Sequence, residues 1–251
     1  MYESGAFSMV ELLTGETAGS GRHSPQIVTR YIMSDSSDMA RSEAAIESEP
    51  AARNPIFLVH GIIDRAYIFN SMRAFLEAEG WTVYALDLVP NDGRAGLEVL
   101  AQQLADFIDS EVGPERRVDL LGFSMGGLVS RYYVQRLGGL DRVDRFISIC
   151  APNHGTLLAF GMPIFKGIRQ MCPNSAFLND LNGNAIEQLG SIDYTSLWTP
   201  SDLMILPADS ARMPVGRNLE IPAPMHASTV RSARYHKEIA QTLQRPVAPR
   251  V

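Results

Sequence analysis

Ser124 stands in the run Val118-Asp119-Leu120-Leu121-Gly122-Phe123-Ser124-Met125-Gly126-Gly127, an apolar segment that leads into Gly-x-Ser-x-Gly and then into a helical pattern. That order turns an ordinary hydroxyl into a nucleophile. A serine on a tight turn between strand and helix has its Oγ exposed, and a side chain at Gly122 or Gly126 would clash there. Leu128, Val129, Tyr132 and Tyr133 share a face of the following helix, whose free N-terminal N–H groups suit a developing oxyanion. Glycine and serine are common, so the pentapeptide alone says little. The readable strand before it and helix after it carry the reading.

A serine nucleophile needs a base, a group that orients the base, and donors for the oxyanion. Five histidines are available: His23, His60, His154, His226 and His236. His23 lies in a polar leader. His60 follows the first core strand and precedes the serine, a poor place for the base in the chain order Ser, Asp, His. His236 falls inside a helical pattern and reads as a surface or face residue. His226 follows Pro222 and Pro224, precedes the last helix and comes late in the chain, so it is the expected base. For the acid the choice is Asp202, just past a strand, with Asp209 and Asp193 as rivals; Asp193 precedes its strand and so lies at the wrong end. The oxyanion donors expected are the backbone N–H groups of Met125 and of Ile62, the latter in His60-Gly61-Ile62-Ile63. Ile63, Phe123, His154 and Leu157 are candidates for lining the substrate cleft, although a loop histidine such as His154 as readily bonds backbone.

These groups must be held at one edge of a sheet. Ile56 to Val59, Trp81 to Leu88, Val118 to Phe123, Val143 to Cys150, Tyr194 to Trp198 and a segment near Asn218 to Ile221 read as strands. Between them run helical patterns: Ile68, Phe69, Met72, Phe75 and Leu76, ended by Gly80; Leu97, Leu100, Leu104, Phe107 and Ile108; and Tyr235, Ile239 and Leu243 at the end. Continuous apolar strands alternating with amphipathic helices mean a mostly parallel sheet covered on both faces. Residues 151–190 are irregular, with a short helix expected from Ser175 to Leu181 and room for at most a small lid. Residues 1–52 read as a flexible leader, Met33 to Ala52 being rich in Ser, Asp, Glu and Ala, with a short edge strand conceivable at Gln26 to Met33. Residues 53–251 form the expected domain.

Bulk properties agree with an ordinary globular chain. It has 251 residues, 45% hydrophobic and 20% charged, with a formal net charge of −6, which gives no footprint for nucleic-acid binding. No stretch is apolar and long enough to span a bilayer. A basic segment followed by an apolar one is not visible at the N-terminus, which predicts a cytoplasmic location and leaves export by another route open. Cys150 and Cys172 are too few for a disulfide scaffold. Cys150 reads as a buried small residue, and a bridge between the two stays open.

Together these residues resemble the α/β-hydrolase superfamily, more closely its small bacterial lipases and esterases. Val59-His60-Gly61-Ile62 looks like the oxyanion segment of that group, Gly122-Phe123-Ser124-Met125-Gly126-Gly127 like its elbow, and Ala151-Pro152-Asn153-His154-Gly155-Thr156 like its loop after the next strand. Ser175-Ala176-Phe177-Leu178 and Tyr194-Thr195-Ser196-Leu197-Trp198 recur in the same pattern. The resemblance spans Asn54 to the last helix and implies the α/β-hydrolase fold with Ser124, Asp202 and His226 as the triad. The expected activity is hydrolysis of carboxylic esters, lipase-like, through an acyl-enzyme, without metal or cofactor. The expected partners are a small ester or lipid and, transiently, a lipid surface. An acyltransferase or thioesterase on the same triad is the alternative, and a ligand-binding module without turnover a third.

Overall fold

The computed structural model describes residues 53–247; the leader at 1–52, the edge strand at 26–33 and residues 248–251 lie outside the described residues. Six strands form one sheet: β1 (Ile56–Val59), β2 (Val83–Leu86), β3 (Val118–Phe123), β4 (Val143–Ile149), β5 (Asp193–Trp198) and β6 (Arg217–Glu220). Their order is β2-β1-β3-β4-β5-β6 and every pairing is parallel. β2 is shorter at both ends than the apolar run from Trp81 to Leu88 suggests.

The helices α1 (Asn70–Ala78), α2 (Leu97–Val112), α3 (Met125–Arg136) and α7 (Ala233–Leu243) close the crossovers. Alternate residues of each strand feed opposite faces. Phe57 and Val59 of β1 join the core beneath α2 and α3, with Leu100, Leu104, Leu128 and Val129. Ile56 and Leu58 join the other core, with Met72 and Leu76 of α1 and Tyr235 and Ile239 of α7. All four β1 residues are buried. Hence the strands show no alternation of apolar and polar residues: both faces are covered. α1 stops where Gly80 takes φ +90, and α2 where Gly113 takes φ +75, conformations cheap only for glycine.

The segment between β4 and β5 is more ordered than expected. Besides a 3-10 turn at Leu157–Gly161 it holds three short helices, α4 (Lys166–Gln170), α5 (Ala176–Gly183) and α6 (Ala185–Gly190). Ser175 caps α5, its Oγ accepting from the Leu178 N–H at 3.2 Å. Ile168, Met171, Leu178 and Leu189 pack into the α2–α3 core, so the segment is part of that layer. It is fastened by Arg131 of α3, which is fully buried. Its guanidinium donates to Asn153 Oδ1 (3.3 Å), Leu181 O (3.1 Å) and Asn182 Oδ1 (2.9 Å), all neutral acceptors. Burial lowers its pKa to about 10, leaving it charged at neutral pH.

Candidate active site

The chain leaves β1 toward β2 on one side and returns to place β3 on the other. The loops after β1 and β3 therefore diverge and open a crevice at the carboxyl edge. Val59 and Gly122 are register partners, so the two loops start at the same height. Ser124 is the first residue beyond β3, with φ +54 and ψ −124, and α3 begins at the next residue. This strained turn depends on the glycines around it. A methyl on Gly122 would come within 2.6 Å of Gly127 Cα, and one on Gly126 would overlap the carbonyl oxygen of Val59. Gly127 has the same constraint, since its methyl would collide with Ala151 Cβ. The sequence pattern does not flag that third glycine.

His226 opens the 3-10 turn His226–Arg231 beyond β6, and Asp202 follows β5. The structure brings the two together: His226 Nδ1 lies 2.6 Å from Asp202 Oδ2, with the Asp202 side chain buried and that of His226 10% exposed. The other carboxylate oxygen, Oδ1, accepts from the N–H groups of Met204 (2.8 Å) and Ile205 (3.0 Å). Burial pulls the Asp202 carboxyl upward. The bond and charge of His226 and the two N–H donors outweigh it and hold the group below its ordinary value. A carboxylate only accepts, so Nδ1 is the donor, and in the neutral tautomer Nε2 is the nitrogen with the lone pair. Among the described residues, Nε2 is buried and has no hydrogen-bond partner. The ring packs against Phe123, beside Ser124, with centroids 4.8 Å apart.

Phe123 was expected to line the cleft. It is buried, and it braces the imidazole instead. Asp209 is exposed, in a separate cleft with His154, Arg212, Met213 and Pro214. His154 likewise stays away from the base, its Nδ1 3.2 Å from the Ser210 carbonyl. Leu157 is exposed, and its N–H donates to Leu206 O. His236, read as a surface or face residue of its helix, is on a buried face, with Nε2 2.9 Å from Val230 O.

His60 serves the oxyanion loop. The Leu88 N–H donates to its Nε2 at 2.9 Å, so Nδ1 is the protonated nitrogen and donates to the Gly61 carbonyl at 2.8 Å. Burial lowers its pKa and favours that neutral form. Pinning the Gly61 carbonyl fixes the peptide whose other end is the Ile62 N–H. Ile63, at φ +62, gives its own N–H to Asn91 O (2.8 Å), which leaves the Ile62 N–H for another acceptor. Ile62 and Met125 thus stand on the two loops that meet at Ser124, where a methyl on Gly61 would come within 3.1 Å of Ser124 Cβ.

Cys150, the first residue past β4, lies beside Asp202 and Tyr235. Burial and the neighbouring carboxylate push its thiol well above the ordinary range, which makes it a neutral neighbour and not a competing nucleophile. Both cysteines are free. Cys150, Asp202 and His226 offer ligand atoms within 4.8 Å of one another. The 2.6 Å between nitrogen and oxygen fits a charge-assisted hydrogen bond. Two ligands on one zinc ion stand roughly 3 Å or more apart.

Comparison with known proteins bears on the fold and on the first half of the described residues. The profile of the palmitoyl protein thioesterase family matches residues 55–164, a stretch that holds the oxyanion loop and Ser124 and ends before Asp202 and His226. The lysosomal thioesterase PPT2 of Homo sapiens is 32% identical over 118 residues, covering 45% of this chain and 38% of that protein. The triacylglycerol lipase of Pseudomonas fragi is 32% identical over 113 residues, 43% of this chain and 37% of that protein. The chain thus spans less than two fifths of the length of these curated relatives. Among solved structures, the mature Bacillus licheniformis lipase BlEst2 superposes with a TM-score of 0.64 at 18% identity, covering 78% of this chain and 94% of that one. A pyrethroid hydrolase from Sphingobium faniae gives 0.57 at 21% identity, covering 78% and 99%. The fold is that of the α/β-hydrolases.

Proposed function

We propose that the chain hydrolyses carboxylic esters of acyl groups through an acyl-enzyme on Ser124. The observation that carries this reading is the 2.6 Å bond from His226 to Asp202, which turns Nε2 away from the carboxylate and leaves it unpartnered, in a ring packed on Phe123, the residue before the elbow serine. Ser124 Oγ attacks the acyl carbon and His226 Nε2 takes its proton. Negative charge gathers on the carbonyl oxygen, where the Ile62 and Met125 N–H groups receive it. The oxyanion collapses, the bond to the leaving oxygen breaks, and the imidazolium returns its proton to that oxygen. Water, activated by the same nitrogen, then releases the acid.

Exposed apolar side chains on the loops that carry the site favour an acyl chain or a lipid surface as what it meets. Ile63, Leu157, Phe160, Ile164, Leu203 and Met225 are each more than half exposed. Ile63 neighbours the oxyanion donor, Leu203 follows Asp202, and Met225 precedes His226. Among the described residues, no helix is long and apolar enough to cross a membrane. A thioester is the second substrate class, favoured by the thioesterase profile over residues 55–164. The same triad serves it, and a thiolate leaving group asks less of the general acid.

The test is turnover of p-nitrophenyl esters and acyl thioesters of rising chain length by the wild type and by Ser124→Ala. Loss of at least about 10⁴-fold in the variant, with an unchanged melting temperature, is expected. Retention of most of the activity would remove the nucleophile and with it the reading.

A further inference from the structure

The oxyanion loop carries a carboxylate for which the reaction above has no use. Asp64 follows Ile63, whose φ of +62 turns the chain back on itself. The Asp64 N–H donates to Gly61 O at 3.4 Å, and its own carbonyl accepts from Asn91 Nδ2 at 2.6 Å. The turn sends the side chain inward over Gly61. A methyl on Gly61 would stand 3.3 Å from Asp64 Oδ2, 3.1 Å from Ser124 Cβ and 3.4 Å from Phe123 Cδ1. The carboxylate oxygen and the carbon bearing the nucleophile are thus no further apart than the first two of these distances laid end to end. Among the described residues Asp64 forms no ion pair within 4.0 Å, in contrast to its neighbour Arg65, which reaches Asp87. It is half-buried, and burial lifts its carboxyl above the ordinary value while His60, His226 and Arg231 draw it back.

We propose that Asp64 is a specificity residue: its charge excludes substrates that carry a second negative charge close to the scissile carbonyl and confines the site to uncharged acyl and leaving groups there. The inference rests on the esterase reading and deepens it. Two like charges at such a separation, partly shielded from water, repel strongly, and the repulsion lies inside the screening length of a dilute buffer. Asp202, the other carboxylate of the site, is buried, and both its oxygens are taken up by His226 and by the Met204 and Ile205 N–H groups, whereas Asp64 is only half-buried.

The test compares 4-acetoxybenzamide with 4-acetoxybenzoate, which match in shape and differ in one charge on the leaving group. It is run at pH 8 and about 20 mM salt, with each kcat/KM divided by the ester's own alkaline hydrolysis rate. The wild type is expected to favour the amide by at least about tenfold. Asp64→Asn removes most of that preference and Asp64→Glu keeps it. In the wild type, salt near 0.5 M shrinks it, a readout that does not depend on any variant folding. A corrected ratio near one in the wild type overturns the inference, as does a ratio unchanged in Asp64→Asn at whatever absolute rate. Failure of the wild type to hydrolyse even the neutral ester would overturn the esterase reading together with this one; an unchanged ratio with both esters turning over would overturn this one alone.

Discussion

Asp119 and Asp202 are both buried aspartates of one sheet, and the fold treats them in opposite ways. Asp119 sits at the amino end, in β3, with Arg145 at 3.1 Å and Asn54 at 3.2 Å. Burial nevertheless raises its pKa to about 6, helped by the charge of Asp144. Asp202 sits past the carboxyl end, and its partners pull its pKa down despite burial. The backbone differs in the same sense. Ile63, Ser124 and Cys150, three of the four described non-glycine residues with positive φ, lie in the loops leaving β1, β3 and β4 at the carboxyl end. The fourth, Asn174, is of a type that tolerates that region. Conformations of this kind cost about 1–3 kcal/mol each and persist where surrounding packing over-determines them. One edge of the sheet thus combines relaxed backbone with a carboxylate pushed toward its neutral form. The other holds strain and a carboxylate kept ionised.

The contrast breaks first at the aspartates. Asp202→Asn is expected to lower kcat by about 10⁴-fold, because the amide can donate to Nδ1 and so favour the wrong imidazole tautomer. Asp119→Asn, read in the same ester assay, is expected to change kcat by less than about threefold. A comparable loss in both would abolish the distinction between the two edges.

Stability against pH gives the next largest effect. Asp119 binds its proton more tightly folded than unfolded, so its contribution is fully present below about pH 4. It is lost as pH rises through about 6. A difference of that size between the folded and unfolded chain is worth at most about 3 kcal/mol. Denaturant unfolding at pH 4 and pH 7 is expected to show that decline in the wild type and not in Asp119→Asn. Asp202 has the opposite sign: its contribution is present above the ordinary carboxylate value and fades as pH falls through the lower folded value.

The smallest effect sharpens the backbone half of the comparison. Ile63 is 71% exposed and buries little, so Ile63→Gly is expected to relieve its left-handed strain. A gain of about 1 kcal/mol, or roughly 2–4 °C in melting temperature, follows. A fall in melting temperature would mean that the side chain holds the turn.

The sheet was legible because strands covered on both faces are written as unbroken apolar runs, and because Gly80 punctuates the first helix. Ser124 was legible from its neighbours, and His226 and Asp202 from chain order, although order alone did not separate Asp202 from Asp209. Their loops decide that, and Asp209 ends in another cleft. What stayed hidden depends on geometry with no periodic trace. The turn at Ile63 aims Asp64 inward, Phe123 supports the imidazole, and α4 and α6, on either side of the expected helix α5, are each too brief to show a helical repeat.

The crowding of Gly127 against Ala151 ties two distant positions into one choice. Only one methyl fits between the nucleophile helix and the end of β4, and here residue 151 owns it. Once that methyl is gone, the next obstacle to a side chain at 127 is the Gly122 carbonyl at 3.2 Å, tight but tolerable. A harmful alanine at 127 therefore has a natural suppressor in glycine at 151, and across divergent lineages the pair should trade the methyl back and forth instead of varying independently.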